Sequence, residues 1–303
     1  MAFNDWDEVR TAYQVARLGT VSGAAQALGV HHATVIRHVD SLEAKLGAKL
    51  FQRHARGYTP TEAGQDLLTV AQSTDDQLAQ LANRIRGRGH EVTGELILTS
   101  LAVLAPLLSP ALAAFREEHP EVMIKFLSDE RVFRLEYGEA HVAIRAGNPP
   151  DQPDNVVQKF YSHDWALYAS KDYIARHGRP ESIDNIGDHV FIGPAEDIPR
   201  APFFAWLLQN VPERNIGYRV NQITAVRPAI EAGLGIGFSP VWAEAANDNM
   251  ERVLASHAWT GQLWLVTHVD LHRTAKVQTF LTFLKDWAAR WPSSDTPENV
   301  KST

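Results

Sequence analysis

The stretch that most constrains this chain is residues 20–62, TVSGAAQALGVHHATVIRHVDSLEAKLGAKLFQRHARGYTPTE. Ser22 is a good N-cap, and residues 23–28 form a short Ala-rich helix. Gly29 stands where a helix should stop, and Val30 plugs the turn. From residue 32 to 46 the apolar side chains Val35, Val39, Leu42 and Leu46 recur at steps of four, three and four, one face of an amphipathic helix. The other face carries His32, Ala33, Thr34, Arg37, His38 and Ser41, with little negative charge. Two helices joined by a tight glycine turn are a helix-turn-helix, and the second can enter a DNA major groove. After Gly47, Leu50 and Phe51 make a short apolar strand. Arg53, His54 and Arg56 make a basic tip, and Tyr58 and Thr59 the return, so a hairpin wing stands beside the helix. Thr61 then caps a new helix. The residues expected to meet double-stranded DNA are Ser22, His32, Ala33, Thr34, Arg37, His38, Arg53 and Arg56.

The formal net charge of −7 runs against DNA binding until it is divided. Residues 1–62 hold seven Lys or Arg, six Asp or Glu and four His, a net of +1, and the remaining residues carry −8. Phosphate contact depends on the local face, because charges more than ~8 Å away are screened. There is no Cys, which excludes disulfides, thiolate–zinc sites and cysteine redox sensing. No apolar run approaches the ~20 residues of a membrane span. The opening MAFNDWDEVR lacks a signal peptide's basic start and apolar core, so a cytoplasmic location and no membrane partner are expected.

Along the chain, residues 5–18 form a first helix whose Val9, Tyr13, Ala16 and Leu18, with Trp6, are expected to supply core. Residues 62–87 form a long helix. Its Leu67, Ala71, Thr74, Leu78, Leu81 and Ile85 repeat as a heptad seam. A helix between two domains has little else to bury its seam against, so pairing with a second copy is favoured over packing on its own chain. Residues 86–90 follow as a basic, flexible hinge. From residue 94 the pattern alternates strand and helix: strands at 95–99, 122–127 and 141–144, helices at 101–119 and 132–138. Further strands follow at 165–169, 191–193, 217–220 and 263–268, with a closing helix at 275–291. Such alternation argues for a parallel sheet. The tail at 292–303 is rich in Pro, Ser, Asp and Asn and reads as disordered.

These pieces resemble the LysR-type transcriptional regulators. The matching residues are AAQALGV, HHATVIRHVDSLEAKLGAKLFQR and TPTEAG in the first part. In the second part they are GELILTS, HVAIRAG, IEAGLGIGFSP and LWLVTHVDLHRTAKVQTFLTFL. The chain departs from the family's habit at Ile36, at His31 and His32, and at Pro60. The resemblance implies an N-terminal all-α winged helix-turn-helix over residues 1–62 and a linker helix and hinge over 63–90. It further implies an α/β effector-binding domain over 91–291, similar to periplasmic binding proteins. Two subdomains, residues 94–161 with 267–291 and residues 162–266, would be joined by two crossover strands, with a ligand held between them. A homodimer or homotetramer is implied as well.

Motifs for other chemistry are weak. GLGIG at residues 233–237 follows a helix and opens a strand, the reverse of a dinucleotide-binding loop, and reads as a tight turn. No phosphate loop, zinc-protease pattern or nucleophile elbow is present, and the histidines lack metal spacing, so neither cofactor nor metal is expected. Ser100 ends a strand beside a helix start, where backbone N–H groups attract anions; the plainer reading is a helix cap. Ser128 ends the next strand on the same sheet edge. Arg145 follows the third and could pair with a carboxylate. Thr224 and Asn221 would face them from the second half. The expectation is therefore a regulator switched by a small molecule, an organic anion on the strength of the donors at Ser100 and the helix start, with Arg145 as the charge. The competing expectation is a cytoplasmic small-molecule-binding protein or an enzyme built on the α/β part.

Overall fold

The computed structural model describes residues 5–54, 57–85, 92–128, 132–195 and 201–292. The expected hinge at 86–90, Arg56, and all of the expected tail except Pro292 lie outside these residues. Helix α1 (Trp6–Leu18) is capped by Asp5 and ends at Gly19 in the left-handed region. Helix α2 (Val21–Leu28) is capped by Thr20, whose hydroxyl accepts from the Gly23 N–H at 3.1 Å. Ser22, the expected cap, lies inside the helix: Thr20 is extended and already reaches the free amide, so the helix starts two residues earlier. Helix α3 (His32–Leu46) follows, then an antiparallel wing of β1 (Phe51–His54) and β2 (Gly57–Pro60). Tyr13, Val35, Val39, Leu42, Leu50 and Phe51 form one core with the start of helix α4 (Glu62–Ile85). Trp6, expected there, is 42% exposed. Thr61 caps α4 through the Gly64 N–H at 3.2 Å. A Cβ on Gly64 would collide with the Leu50 carbonyl, so glycine lets α4 start flush against the wing.

The remainder is β3 (Gly94–Ser100), α5 (Ala105–Glu118), β4 (Val122–Ser128), β5 (Val142–Ala146) and β6 (Asn155–Ser170). Then come α6 (Lys171–His177), β7 (Phe191–Pro194), α7 (Pro202–Asn210), β8 (Ile216–Val220), α8 (Val226–Glu231) and β9 (Gly237–Pro240). α9 (Val241–Glu244), β10 (Met250–His268), α10 (Val269–His272) and α11 (Ala275–Ala288) close it. The main sheet runs β4-β3-β5-β10-β6-β9 and is mixed. β3 is parallel to β4 and β5, whereas β10 is antiparallel to β5 and β6, and β6 to β9. The expectation of a parallel sheet therefore holds for its first strands and for the small β7–β8 sheet. The short strands expected at 165–169 and 263–268 are ends of 16- and 19-residue strands that pair with each other and join two lobes. The helix expected at 132–138 is only a 3₁₀ turn, Leu135–Tyr137, stopped by Gly138 at φ 65°.

Each lobe has its own core. Leu98, Phe115, Leu265, Phe280 and Leu284 fill the first, and Leu167, Phe191, Phe203, Leu207 and Phe238 the second. Burial of these side chains from both faces is what closes the lobes. Helix α4 also packs on the first lobe. Thr69 Oγ1 donates to the Glu136 carbonyl at 2.6 Å, and the Gln72 amide lies 3.0 Å from His141 Nε2. His141 Nδ1 accepts from the Ile97 N–H at 2.9 Å. Nδ1 therefore carries no proton, and the Gln72 amide nitrogen is the atom that faces Nε2.

Candidate nucleic-acid interface and ligand cleft

Helix α3 buries Val35, Val39 and Leu42, which leaves His32, Ala33 and Arg37 exposed along one side with Thr34 half-buried between them. Ser22 of α2 is exposed as well. His38 is turned inward, its Nδ1 3.0 Å from the Thr11 hydroxyl of α1. Arg53, expected at the basic tip of the wing, bonds Asp40 at 2.5 Å and Glu43 at 3.1 Å and lies over the Tyr58 ring.

Two carboxylates, neither of them among the residues expected to meet DNA, set the pose of α3. Glu43 accepts from the backbone N–H groups of Leu50 and Phe51 at 3.0 and 3.3 Å and from Lys49 at 2.7 Å. Burial pushes its pKa up, but these donors outweigh burial and hold it below the ordinary value. Glu8 of α1 binds Lys45 at 2.6 Å and Ser41 at 2.7 Å, and chiefly these two bonds lower its pKa. One carboxylate thus ties α3 to the wing and the other ties it to α1.

At the far end of the chain, Ser100 closes β3 beside the 3₁₀ turn Ala102–Leu104. It is buried, and its hydroxyl has no hydrogen-bond partner among the described residues. Ser128, its register partner on β4, is exposed. The turn Ala102–Leu104 packs against the turn Ile223–Ala225 of the second lobe, so Ser100 and the exposed Thr224 come to one junction, with exposed Asn221 just before it. Arg145 does not join them. It alternates with Val142 and Ile144 of the first core and so lies on the opposite face of the sheet from Ser100, donating to the Phe133 carbonyl at 2.7 Å. Burial lowers its pKa. A charge partner for an organic anion at Ser100 is therefore not supplied by this residue. A surface groove of about 600 Å³ between α5 and β4, lined by Leu112, Arg116, Val122 and Met123, sits at the amino end of β4, away from that junction.

The ring nitrogens of His163 on β6 and of Trp242 on α9 have no hydrogen-bond partner among the described residues. His163 alternates with Tyr161 and Trp165 on the inner face of β6, a period of two that extends the strand upstream of the apolar run read as its start. No described helix is long and apolar enough to cross a membrane.

Two family models match. "Bacterial regulatory helix-turn-helix protein, lysR family" covers residues 6–65, and "LysR substrate binding domain" covers residues 89–289. The regulator CrgA of Neisseria meningitidis serogroup B is 29% identical over 63% of this chain and 64% of its own length. IlvY of Escherichia coli K12, another HTH-type transcriptional regulator, is 36% identical over 50% of this chain and 52% of its own. The matched stretch thus spans less than two thirds of either relative. In fold, the chain is similar to a full-length OxyR variant from Pseudomonas aeruginosa, with a TM-score of 0.71 at 16% identity over 97% of this chain and 99% of that one. Two models that together take in both the helix-turn-helix and the two-lobed half place this chain in the LysR family.

Proposed function

We propose that this chain is a sequence-specific, DNA-binding transcriptional regulator whose activity is set by a small molecule held between its two lobes. The observation that carries this is the exposed side of α3, where His32, Ala33, Thr34 and Arg37 project from a helix fixed by Glu8 and Glu43. A rigid reading helix with an exposed cationic tip suits the major groove. On this reading the chain acts in the cytoplasm on double-stranded DNA as a homodimer or homotetramer and is not an enzyme. Residues 1–62 bind DNA, 63–90 link, and 91–291 bind the effector. Ser22 and Arg53 contact the backbone. Arg53 leaves Asp40 to do so, since an exposed pair of this kind is worth ~1 kcal/mol or less. Ser100, Ser128, Asn221 and Thr224 line the effector cleft.

The test is a salt series of gel shifts on DNA upstream of the chain's own gene. Arg37→Ala should cost ~1–3 kcal/mol and relax specificity if Arg37 meets a base, or lower the salt slope by about one unit if it meets a phosphate. Wild-type affinity at every salt concentration would refute the assignment.

A further inference from the structure

One edge of a histidine on α3 is fixed by a relay that runs back into α1. Thr11 Oγ1 lies 2.6 Å from the Asp7 carbonyl oxygen, which has no proton to give, so the hydroxyl hydrogen goes there. The same Oγ1 lies 3.0 Å from Nδ1 of His38. With its one hydrogen already used, Thr11 can only accept, and His38 Nδ1 must be the donor. A neutral ring with its proton on Nδ1 has a bare lone pair on Nε2. Thr11 is buried, so water does not compete at this end, whereas His38 is half-buried. No described residue bonds Nε2, and that nitrogen is not sealed inside the protein, so it stays open to solvent.

His38 sits one turn after the half-buried Thr34 and next to the exposed Arg37, on the flank of α3 that meets α1. Ser41 and Lys45 continue that flank and are tied to Glu8, so three bonds hold the ring in a fixed gap between two helices. Glu8 is an acceptor on this flank, but Ser41 and Lys45 take it up. Arg37 carries donors only, and Ala33 carries neither donor nor acceptor. The Nε2 lone pair is therefore a positioned acceptor beside side chains that mostly donate.

We propose that His38 is a specificity-determining residue: through Nε2 it accepts a hydrogen bond from the exocyclic amino group of a base in the major groove, adenine N6 or cytosine N4. Those amino groups are the hydrogen-bond donors that base edges present there. Phosphate oxygens, guanine N7 and O6 and thymine O4 are all acceptors, and a lone pair gains nothing from them. Arg37 suits those acceptors, so the two neighbours read complementary edges. Thr11 already holds the ring, so little side-chain freedom is lost on binding. This role deepens the proposed reading of DNA by α3 and rests on it.

The experiment uses the full chain as wild type, His38→Ala and Thr11→Val. Each selects its sites from random double-stranded DNA at slightly alkaline pH, and the wild-type site is then remade with the amino group of single bases deleted. The wild type should prefer adenine or cytosine at one position of each half-site. His38→Ala should lose that preference and bind the wild-type site about tenfold more weakly. Deleting the amino group of that base should weaken the wild type about tenfold and leave His38→Ala unaffected. Thr11→Val keeps the shape of the buried side chain and removes the acceptor that pins the ring. It should unfold cooperatively like the wild type, keep its affinity for random DNA and blur the same position. His38→Ala selecting the wild-type site with undiminished sharpness would overturn the role, and so would a lost preference for guanine. A loss of affinity alike on every sequence, with a salt slope lower by about one unit, would overturn it too, as the mark of an imidazolium on a phosphate. A wild type that selects no sequence would sink the regulator reading and this role together. A wild type that selects sharply without needing His38 would sink this role alone.

Discussion

Glu43 shows how much one side chain can fix. Its carboxylate is 2% exposed and receives two backbone N–H groups, Lys49 and Arg53. Its folded pKa lies below the ordinary 4.5. A depressed carboxylate adds stability that is present above the unfolded value and lost as pH falls through the folded one. Glu43→Gln should therefore flatten the acid side of the stability profile below about 4.5 and cost ~1–3 kcal/mol at pH 7, because buried donors lose a charged acceptor. Urea unfolding at pH 7 and pH 3.5 measures both effects, and an unchanged acid slope would refute the role. None of this was legible in the sequence, where Glu43 is one half of a Leu–Glu pair. Its donors lie in the loop and wing beyond α3, and spacing along a helix says nothing about them. Arg37, by contrast, was legible, because an exposed position follows directly from the period of Val35, Val39 and Leu42.

At the scale of elements, local rules carried furthest where an element is short and its partner is near in sequence. The helix-turn-helix follows from periodicity and from glycine stops at Gly29 and Gly47, both left-handed in the structure. The crossover strands did not follow, because their length is set by two lobes that share them and not by any local propensity. Helix α4 falls between. Its seam is heptad-like, but Leu67 and Ala71 are spent on the N-terminal core, so the stripe left exposed runs through Val70, Leu78 and Leu81 with Thr74 half-buried. The helix also has its own chain to lean on. Gln72 and His141 are 69 residues apart, which no spacing rule connects. Gln72→Leu should take a hydrogen-bond partner from the buried Nε2 of His141, at a cost of ~1–3 kcal/mol. The Ile97 amide, bonded to His141 Nδ1, should then exchange faster with deuterium. Because β3 runs from Ile97 at this joint to Ser100 at the proposed cleft, the same amide would report whether ligand and linker communicate. Unaltered Ile97 exchange in Gln72→Leu would refute the joint.

At the scale of the molecule, the proposal of a regulator demands two reading helices held at a fixed separation, and α4 is the element placed to hold them. Val70, Leu78 and Leu81 are apolar, exposed and on one side of it. Pairing would bury them, and burying such a stripe is the driving force available. The chain has no Cys, so a single cysteine introduced at the exposed Ala48, in the loop after α3, is a unique site for a spin label. Electron–electron resonance on the labelled wild type should give one inter-protomer distance. On DNA that distance should sharpen around a value set by half-sites about a helical turn, ~34 Å, or a multiple of it apart, offset by the label's place beside α3. Adding Leu78→Asp places a charge in the stripe, where an unpaired charge cannot be buried cheaply. The dipolar signal should vanish and sedimentation should report a smaller species, with the fold of each protomer intact. A labelled Leu78→Asp chain that keeps the same distance would show that the copies meet through some other surface, and would separate assembly through α4 from DNA reading by α3.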